Sequence, residues 1–160
     1  MANTCLTEAQ PSLEQFLPEG FMTGPRLTEA LRSAEAPPVI VAELSGNHRG
    51  ELSRALELVD TAADAGVDAV KLQTYRPDTI TVDCRDDRFL LKEGLWEGRY
   101  LHDLYDEAMT PWDWHLPLAE RAAERGLALF SSPFDETSVQ FLEKNLAPPL
   151  HKIASCEPKG

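Results

Sequence analysis

Between Val39 and Ser155 the chain alternates short, mostly apolar runs with longer segments of helical periodicity. This alternation limits the possible fold more than any other feature. Short apolar runs bounded by turn residues are typical of strands that are buried on both faces of a sheet. The order β-α-β-α-β-α-β predicts an α/β fold with a parallel sheet and right-handed crossovers. The four predicted strands are PPVIVAE, DAVKLQT, LALFSS and HKIAS.

The segments between these runs carry start and stop signals of helices. Apolar residues recur at helical spacing from Leu52 to Ala63, and Gly66 stands where a helix C-cap belongs. An amphipathic piece lies near Leu101–Met109. Further helices are predicted from Thr110 to Gly126 and from a capping Asp135 to about Lys144.

The first 38 residues differ from the rest of the chain. They hold Pro11, Pro18, Pro25, Pro37 and Pro38, out of 12 prolines in all, and show no sustained periodicity. We predict a poorly ordered leader over residues 1–38 with one short helix around Leu27–Ser33, followed by one α/β domain over residues 39–160.

Charge and composition narrow the classes of partner. The net charge is -12, from 15 Lys+Arg against 27 Asp+Glu, which argues against nucleic acid and anionic membranes. The N-terminal sequence lacks the basic and apolar regions of a signal peptide. Three scattered cysteines predict neither a disulfide framework nor a zinc cluster, so we expect a cytoplasmic protein.

Polar residues end each predicted strand. The carboxyl ends of parallel strands meet at one edge of a sheet, so these side chains are expected to converge. Two ammonium groups with hydroxyl and amide donors suit a phosphate or carboxylate ligand, and a nearby carboxylate could orient a hydroxyl or shuttle a proton. The candidates are Glu43, Asn47, His48, Lys71, Gln73, Ser131, Ser132, Lys152 and Ser155.

Structural roles are alternatives for several of these residues. Glu43 could pair with Lys71 or Lys152, and His48 could stabilise its loop rather than bind a ligand. His102 and His115 are expected at the surface or in an interface. Trp96 lies in a loop that could cover the site.

Several blocks resemble the opening blocks of the sialic acid synthase family. They are AELSGNHRG, DAVKLQTY, FSSPFDE and HKIAS, and QTY-x-PDT, GLWEGR and LYDEAMTPWDWH resemble the pseudaminic acid synthases within that family. The resemblance implies a TIM barrel followed by an antifreeze-like domain, in a homodimer. A barrel takes about 250 residues. The chain is therefore expected to hold about four β-α units of a partial barrel, without barrel closure and without the antifreeze-like domain.

The resemblance also implies roles for the candidate residues. Glu43 would contact the sugar near its reacting carbon, Lys71 and Lys152 would hold phosphoenolpyruvate, and Ser155 would bind its phosphate. Gln73 would contact the sugar or metal side, and Ser132 would face the substrates. Asn47 and His48 match the family's N-H loop.

The reaction so implied condenses phosphoenolpyruvate with 2,4-diacetamido-2,4,6-trideoxy-altrose to give pseudaminic acid and phosphate. A divalent metal (Mn²⁺, Mg²⁺ or Co²⁺) would polarise the sugar aldehyde, and its ligands are expected outside this chain. Alternatives are N-acetylneuraminate or legionaminate synthesis, an aldolase with a lysine Schiff base, and a non-catalytic half-barrel that binds anions or a partner chain.

Overall fold

The computed structural model describes residues 24–155. Its centre is a three-stranded parallel sheet in the order β1-β2-β3. The strands are β1 (Val41–Glu43), β2 (Ala69–Thr74) and β3 (Ala128–Pro133). The helices in chain order are α1 (Gly24–Arg32), α2 (Leu52–Asp64), α3 (Pro77–Ile80), α4 (Leu101–Ala108), α5 (His115–Glu124) and α6 (Glu136–Asn145).

The elements match the sequence pattern closely. A 3-10 turn, Trp112–Trp114, precedes α5 in the helix predicted from Thr110. Gly66 and Gly126 follow α2 and α5 with φ of 77° and 74°, the left-handed conformation that glycine favours at a helix end. Asp135 caps α6, where its carboxylate accepts from the main-chain N–H groups of Thr137 and Ser138.

The predicted fourth strand, HKIAS, is wrong as a strand. In the described part of the chain His151 forms one isolated parallel bridge with Ser131, and the Lys152 N–H donates to the Ser131 carbonyl at 3.0 Å. Continuation of this pairing would bring the segment level with Pro133, which has no N–H to donate. The ladder therefore stops after one bridge.

The main hydrophobic core lies on one face of the sheet. Val70 and Leu72 of β2 point to the same face, because alternate strand residues share a face. Both side chains pack there against α2 and α5. Val59 of α2 and Leu118 of α5 are almost completely buried in this layer. The two helices thus cover the face of the sheet opposite Lys71 and Gln73.

The other face is covered at its amino end by α1. Leu27 is fully buried against Ala69, Ala128 and Phe130. The helix expected around Leu27–Ser33 corresponds to α1, so this part of the predicted leader packs on the sheet. Residues 1–23 lie outside the described residues. At the carboxyl end of the same face lie Lys71, Gln73 and Ser132. Ser131, which was expected with them, points to the opposite face.

Candidate functional site

Glu43 and Lys71 form an ion pair at the carboxyl edge of the sheet. The two residues are register partners on β1 and β2, so their side chains project from the same face. The Lys71 side chain is 14% exposed and that of Glu43 is 37% exposed. The Ser45 N–H donates to Glu43 Oε1 at 3.2 Å. Of the two partners open to Glu43, the structure selects Lys71.

Gln73 and Ser132 are the next register pair on this face. Ser132 is 2% exposed, and its Oγ has no hydrogen-bond partner among residues 24–155. A buried hydroxyl without a partner costs about 1–3 kcal/mol and is uncommon in folded proteins. The Ser132 hydroxyl therefore has hydrogen-bonding capacity that no described residue uses, on the same face as Gln73.

Lys152 and Ser155 lie beside the open edge of β3. The Lys152 N–H donates to the Ser131 carbonyl, which holds the Lys152 backbone beside Ser132 at the edge of β3. Lys152 is half-buried, and it makes no ion pair within the described part of the chain. Ser155 is exposed at the end of the described residues. The structure thus brings Glu43, Lys71, Gln73 and Ser132 to one face, with Lys152 at the adjoining edge of β3.

The turn after β1 separates Asn47 from His48. Asn47 is exposed, and its amide donates to the Leu44 carbonyl at 3.1 Å. His48 is 2% exposed and packs edge-to-face on Trp114, with ring centroids 5.3 Å apart. Its Nδ1 accepts from the Gly50 N–H at 3.0 Å. Burial lowers the pKa of His48, so the neutral ring is favoured in this position.

A cleft of about 470 Å³ opens beside Gln73. The turn after β1 forms one wall with Asn47 and Arg49, and α4 forms the opposite wall. Gly46 allows the two walls to meet, because a Cβ there would lie 3.0 Å from Ala108. Burial raises the pKa of Tyr75 to about 12, so its phenol stays a neutral hydrogen-bond donor at the cleft. Trp96 also lines the cleft, as expected for its loop.

His115 is fully buried, which corrects its expected surface position. Its Nδ1 lies 3.2 Å from the Pro111 carbonyl, which can only accept, so Nδ1 carries the proton. Nε2 then accepts from Thr74 Oγ1 at 2.8 Å, and Thr74 Oγ1 lies 2.6 Å from Ser131 Oγ. This polar chain lies on the α5 face of the sheet, opposite the face that carries Gln73 and Ser132. The signal was available, because His115 shares a helical face with Leu118 and Ala122.

The histidines do not form a metal site. His102 and His151 pair with Asp78 and Glu143, while His48 and His115 are buried in the contacts above. Within residues 24–155 no group of three or more His, Cys, Asp or Glu side chains could hold a metal ion. The described residues therefore do not fit the divalent metal that the resemblance implies.

Within residues 24–155, no helix is long and apolar enough to cross a membrane.

The fold and this edge define a class of α/β proteins whose ligand sites lie at the carboxyl ends of parallel strands. A model of the NeuB family matches residues 58–159, and the chain belongs to that family.

Known relatives agree with this assignment. The chain is 47% identical over 118 residues to the pseudaminic acid synthase of Campylobacter jejuni subsp. jejuni serotype O:2, covering 74% of this chain and 34% of that protein. It is 44% identical over 121 residues to the Helicobacter pylori enzyme of the same name, covering 76% and 35%. The chain thus spans about a third of the length of these relatives.

A solved structure confirms the partial barrel. The N-acetylneuraminic acid synthetase of Leptospira borgpetersenii serovar Hardjo-bovis matches with a TM-score of 0.62 and 29% sequence identity. The match covers 75% of this chain and 37% of that chain. The open three-stranded sheet is therefore a segment of a larger α/β fold, as the sequence predicts.

Proposed function

We propose that the protein carrying this chain is a phosphoenolpyruvate-dependent nonulosonic acid synthase. The observation that carries the proposal is the group at the strand ends, where Lys71 and Glu43 stand beside the unpartnered hydroxyl of Ser132. An ammonium, a carboxylate and a free hydroxyl on one face suit an anionic substrate and a second, neutral one. Membership of the NeuB family supports the same reading.

In this proposal the lysines bind phosphoenolpyruvate. Lys71 is largely buried and already faces a carboxylate, so an incoming phosphate or carboxylate would exchange one anionic partner for another. Lys152 supplies a second positive charge from the edge of β3, and Ser132 and Ser155 supply hydroxyl donors. Such fixed donors stabilise the charge that moves from the enol phosphate to the leaving phosphate.

Glu43 and Gln73 would hold the sugar. When the phosphoenolpyruvate anion takes Lys71, the Glu43 carboxylate is released to accept from a sugar hydroxyl. The enol carbon attacks the aldehyde of the open-chain sugar and forms the new carbon–carbon bond. Water then adds at the carbon bearing the phosphate, and the tetrahedral intermediate expels phosphate to leave the keto acid. One water is consumed for each phosphate released.

The proposed sugar is 2,4-diacetamido-2,4,6-trideoxy-altrose, the precursor of pseudaminic acid. Similarity to two pseudaminic acid synthases supports this choice over the N-acetylneuraminate and legionaminate precursors. Competition among the three precursor sugars tests it directly. The altrose derivative should give the highest kcat/KM, and preference for either other sugar would reassign the substrate.

The reaction is tested by phosphate release from phosphoenolpyruvate in a buffer containing Mn²⁺. The protein is produced from its complete gene, and the keto acid product is weighed by mass spectrometry. Lys71→Ala should abolish sugar-dependent phosphate release, whereas Lys144→Ala, on the exposed last turn of α6, should leave it unchanged. Near-normal turnover in the Lys71 variant would overturn the site assignment. No release by the wild type with any of the three sugars would overturn the function.

A further inference from the structure

The cleft wall includes a loop that carries Leu95 and Trp96, and neither side chain takes part in the reaction proposed above. The Trp96 loop, defined here as residues 90–100, joins the long connection after α3 to the start of α4. Leu95 and Trp96 at its tip are 87% and 42% exposed, yet both line the cleft beside Gln73. Exposed large apolar side chains that line a cleft are typical of a ligand-binding surface.

The Trp96 loop is closed on itself. Leu90 and Tyr100 form an antiparallel bridge, and the Leu91 N–H donates to the Arg99 carbonyl at 2.9 Å. The Gly98 N–H donates back to the Leu91 carbonyl at 2.8 Å. Gly94 and Gly98 have φ of 89° and 80°, a conformation that permits this tight return. The apolar tip is therefore presented by a defined backbone.

The Trp96 loop is also fixed against α4, which forms the wall of the cleft across from the turn after β1. The Arg99 guanidinium pairs with Glu107 of α4 at 2.5 Å, and the Arg85 guanidinium lies 5.0 Å from the Tyr100 ring centroid. Arg85 in turn pairs with Asp103 of α4 at 2.5 Å. These contacts hold the loop and α4 as one wall, with Trp96 at its rim.

The two ends of the cleft differ in chemistry. At the inner end Gln73 and Asn47 offer amide groups, and Gln73 lies two residues along β2 from Lys71. At the outer end the exposed Leu95 and Trp96 offer apolar surface, and the same lining includes Leu104 of α4 and the charged Arg49 and Glu107. A ligand that fits both ends carries hydroxyl or carbonyl groups next to the reacting centre and methyl groups away from it.

We propose that the outer end of this cleft is the subsite for the acylamino and deoxymethyl groups of the sugar. Trp96 is the specificity-determining residue of this subsite. The inference rests on the proposed function, because the inner end of the cleft joins the residues assigned to the reaction. Acetyl methyl groups and a deoxy carbon bury apolar surface against the indole ring, whereas a plain hydroxymethyl group gains less from this contact.

The test measures KM for each substrate separately in the protein produced from its complete gene. Trp96→Ala should raise KM for the diacetamido-trideoxy sugar about tenfold while KM for phosphoenolpyruvate changes less than about twofold. The increase should be smaller for N-acetylmannosamine, which lacks the second acetamido group and the deoxymethyl group. Trp96→Phe should restore most of the affinity, because it keeps an aromatic surface.

Leu116→Ala is the matched control, since Leu116 is 52% exposed on α5 and does not line the cleft. It should leave both KM values at those of the wild type. An active wild type whose Trp96→Ala variant keeps its KM for the sugar would overturn the subsite alone. Equal increases for both substrates would also overturn it. A wild type without sugar-dependent phosphate release would overturn the proposed function and the subsite together.

Discussion

At the residue scale, the ion pair between Lys71 and Glu43 joins stability to the proposed chemistry. Removing one partner leaves a largely buried charge without compensation, whereas removing both does not. Glu43→Gln should therefore lower the free energy of unfolding by about 1–2 kcal/mol, an amount reduced by the partial exposure of Glu43. Denaturant unfolding of both single variants and of Glu43→Gln/Lys71→Met measures the coupling.

The double variant should be less destabilised than the sum of the single variants. Glu124→Gln is the control, because Glu124 pairs with Arg121 at a more exposed position. It should change stability by less than about 0.5 kcal/mol. Additive effects of Glu43→Gln and Lys71→Met would mean that the pair contributes nothing measurable.

His115 makes a second prediction, on the pH dependence of stability. Burial lowers its pKa from 6.5 to about 4, so the folded state resists a proton that the unfolded state accepts. The contribution of His115 to stability should therefore fall as the pH drops from 6.5 to 4, by about 3 kcal/mol at most, and level off below that. Denaturant unfolding at several pH values measures this slope.

The matched variants are His115→Gln, which removes the titrating ring, and Leu116→Ala, which changes an exposed neighbour on α5 without a titrating group. The first should flatten the fall between pH 6.5 and 4, and the second should keep the slope of the wild type. His48 is also buried with a lowered pKa, so part of the slope should survive in the His115 variant. An unchanged slope after His115→Gln would contradict the assignment.

At the element scale, α1 makes the packing of the predicted leader testable. Leu27 is fully buried against the sheet, while Leu31 on the same helix is 57% exposed. Leu27→Ala should lower the free energy of unfolding by about 3 kcal/mol, because it leaves a cavity over Ala69 and Phe130. Leu31→Ala should cost less than about 0.5 kcal/mol. Equal effects of the two variants, measured by urea unfolding, would show that α1 does not cover the sheet.

The elements also show how far the sequence carries the fold and the site. Local signals define β2 and α6 well, because an apolar run and a capping Asp135 act over a few residues. The fourth strand fails because its pairing depends on Pro133, which belongs to another strand. The sequence leaves Lys71 and Lys152 as equal candidates for the partner of Glu43. The register of β1 on β2 decides for Lys71.

The cleft shows a similar limit at the level of loops. Trp96 could be expected near the site from its place in the chain. Its position at the rim depends on the hydrogen bonds of Leu91 with Gly98 and Arg99 and on the ion pair between Arg99 and Glu107. Such contacts join residues without periodic spacing, so a pattern of apolar residues does not predict them. His115 differs, because its spacing from Leu118 and Ala122 favours the buried face of α5, which membership of a helical segment alone does not indicate.

At the scale of the whole molecule, residues 24–155 cover the sheet on one face and only partly on the other. The helices α2 and α5 bury the face of Val70 and Leu72, whereas α1 covers only the amino end of the opposite face. Ile40, Val41 and Ile153 remain 54%, 37% and 69% exposed near the outer parts of the sheet. The relatives are about three times as long as the segment that matches this chain. In a closed barrel, apolar surface at the edges of such a sheet packs against further strands.

This geometry predicts an order of amide hydrogen exchange among β1, β2 and the segment after His151. β2 pairs on both sides and lies under both layers, so its amides open only with the larger cooperative unit. β1 pairs on one side, and the segment after His151 makes a single bridge. The amides of β2 should therefore exchange at least roughly tenfold more slowly than those of β1. Of these three segments, residues 151–154 should exchange fastest. Hydrogen exchange followed by mass spectrometry checks this order. The exposed substitution Leu31→Ala on α1 should leave the order unchanged. Equal protection of β1 and β2 would mean that another part of the chain covers the edge at β1.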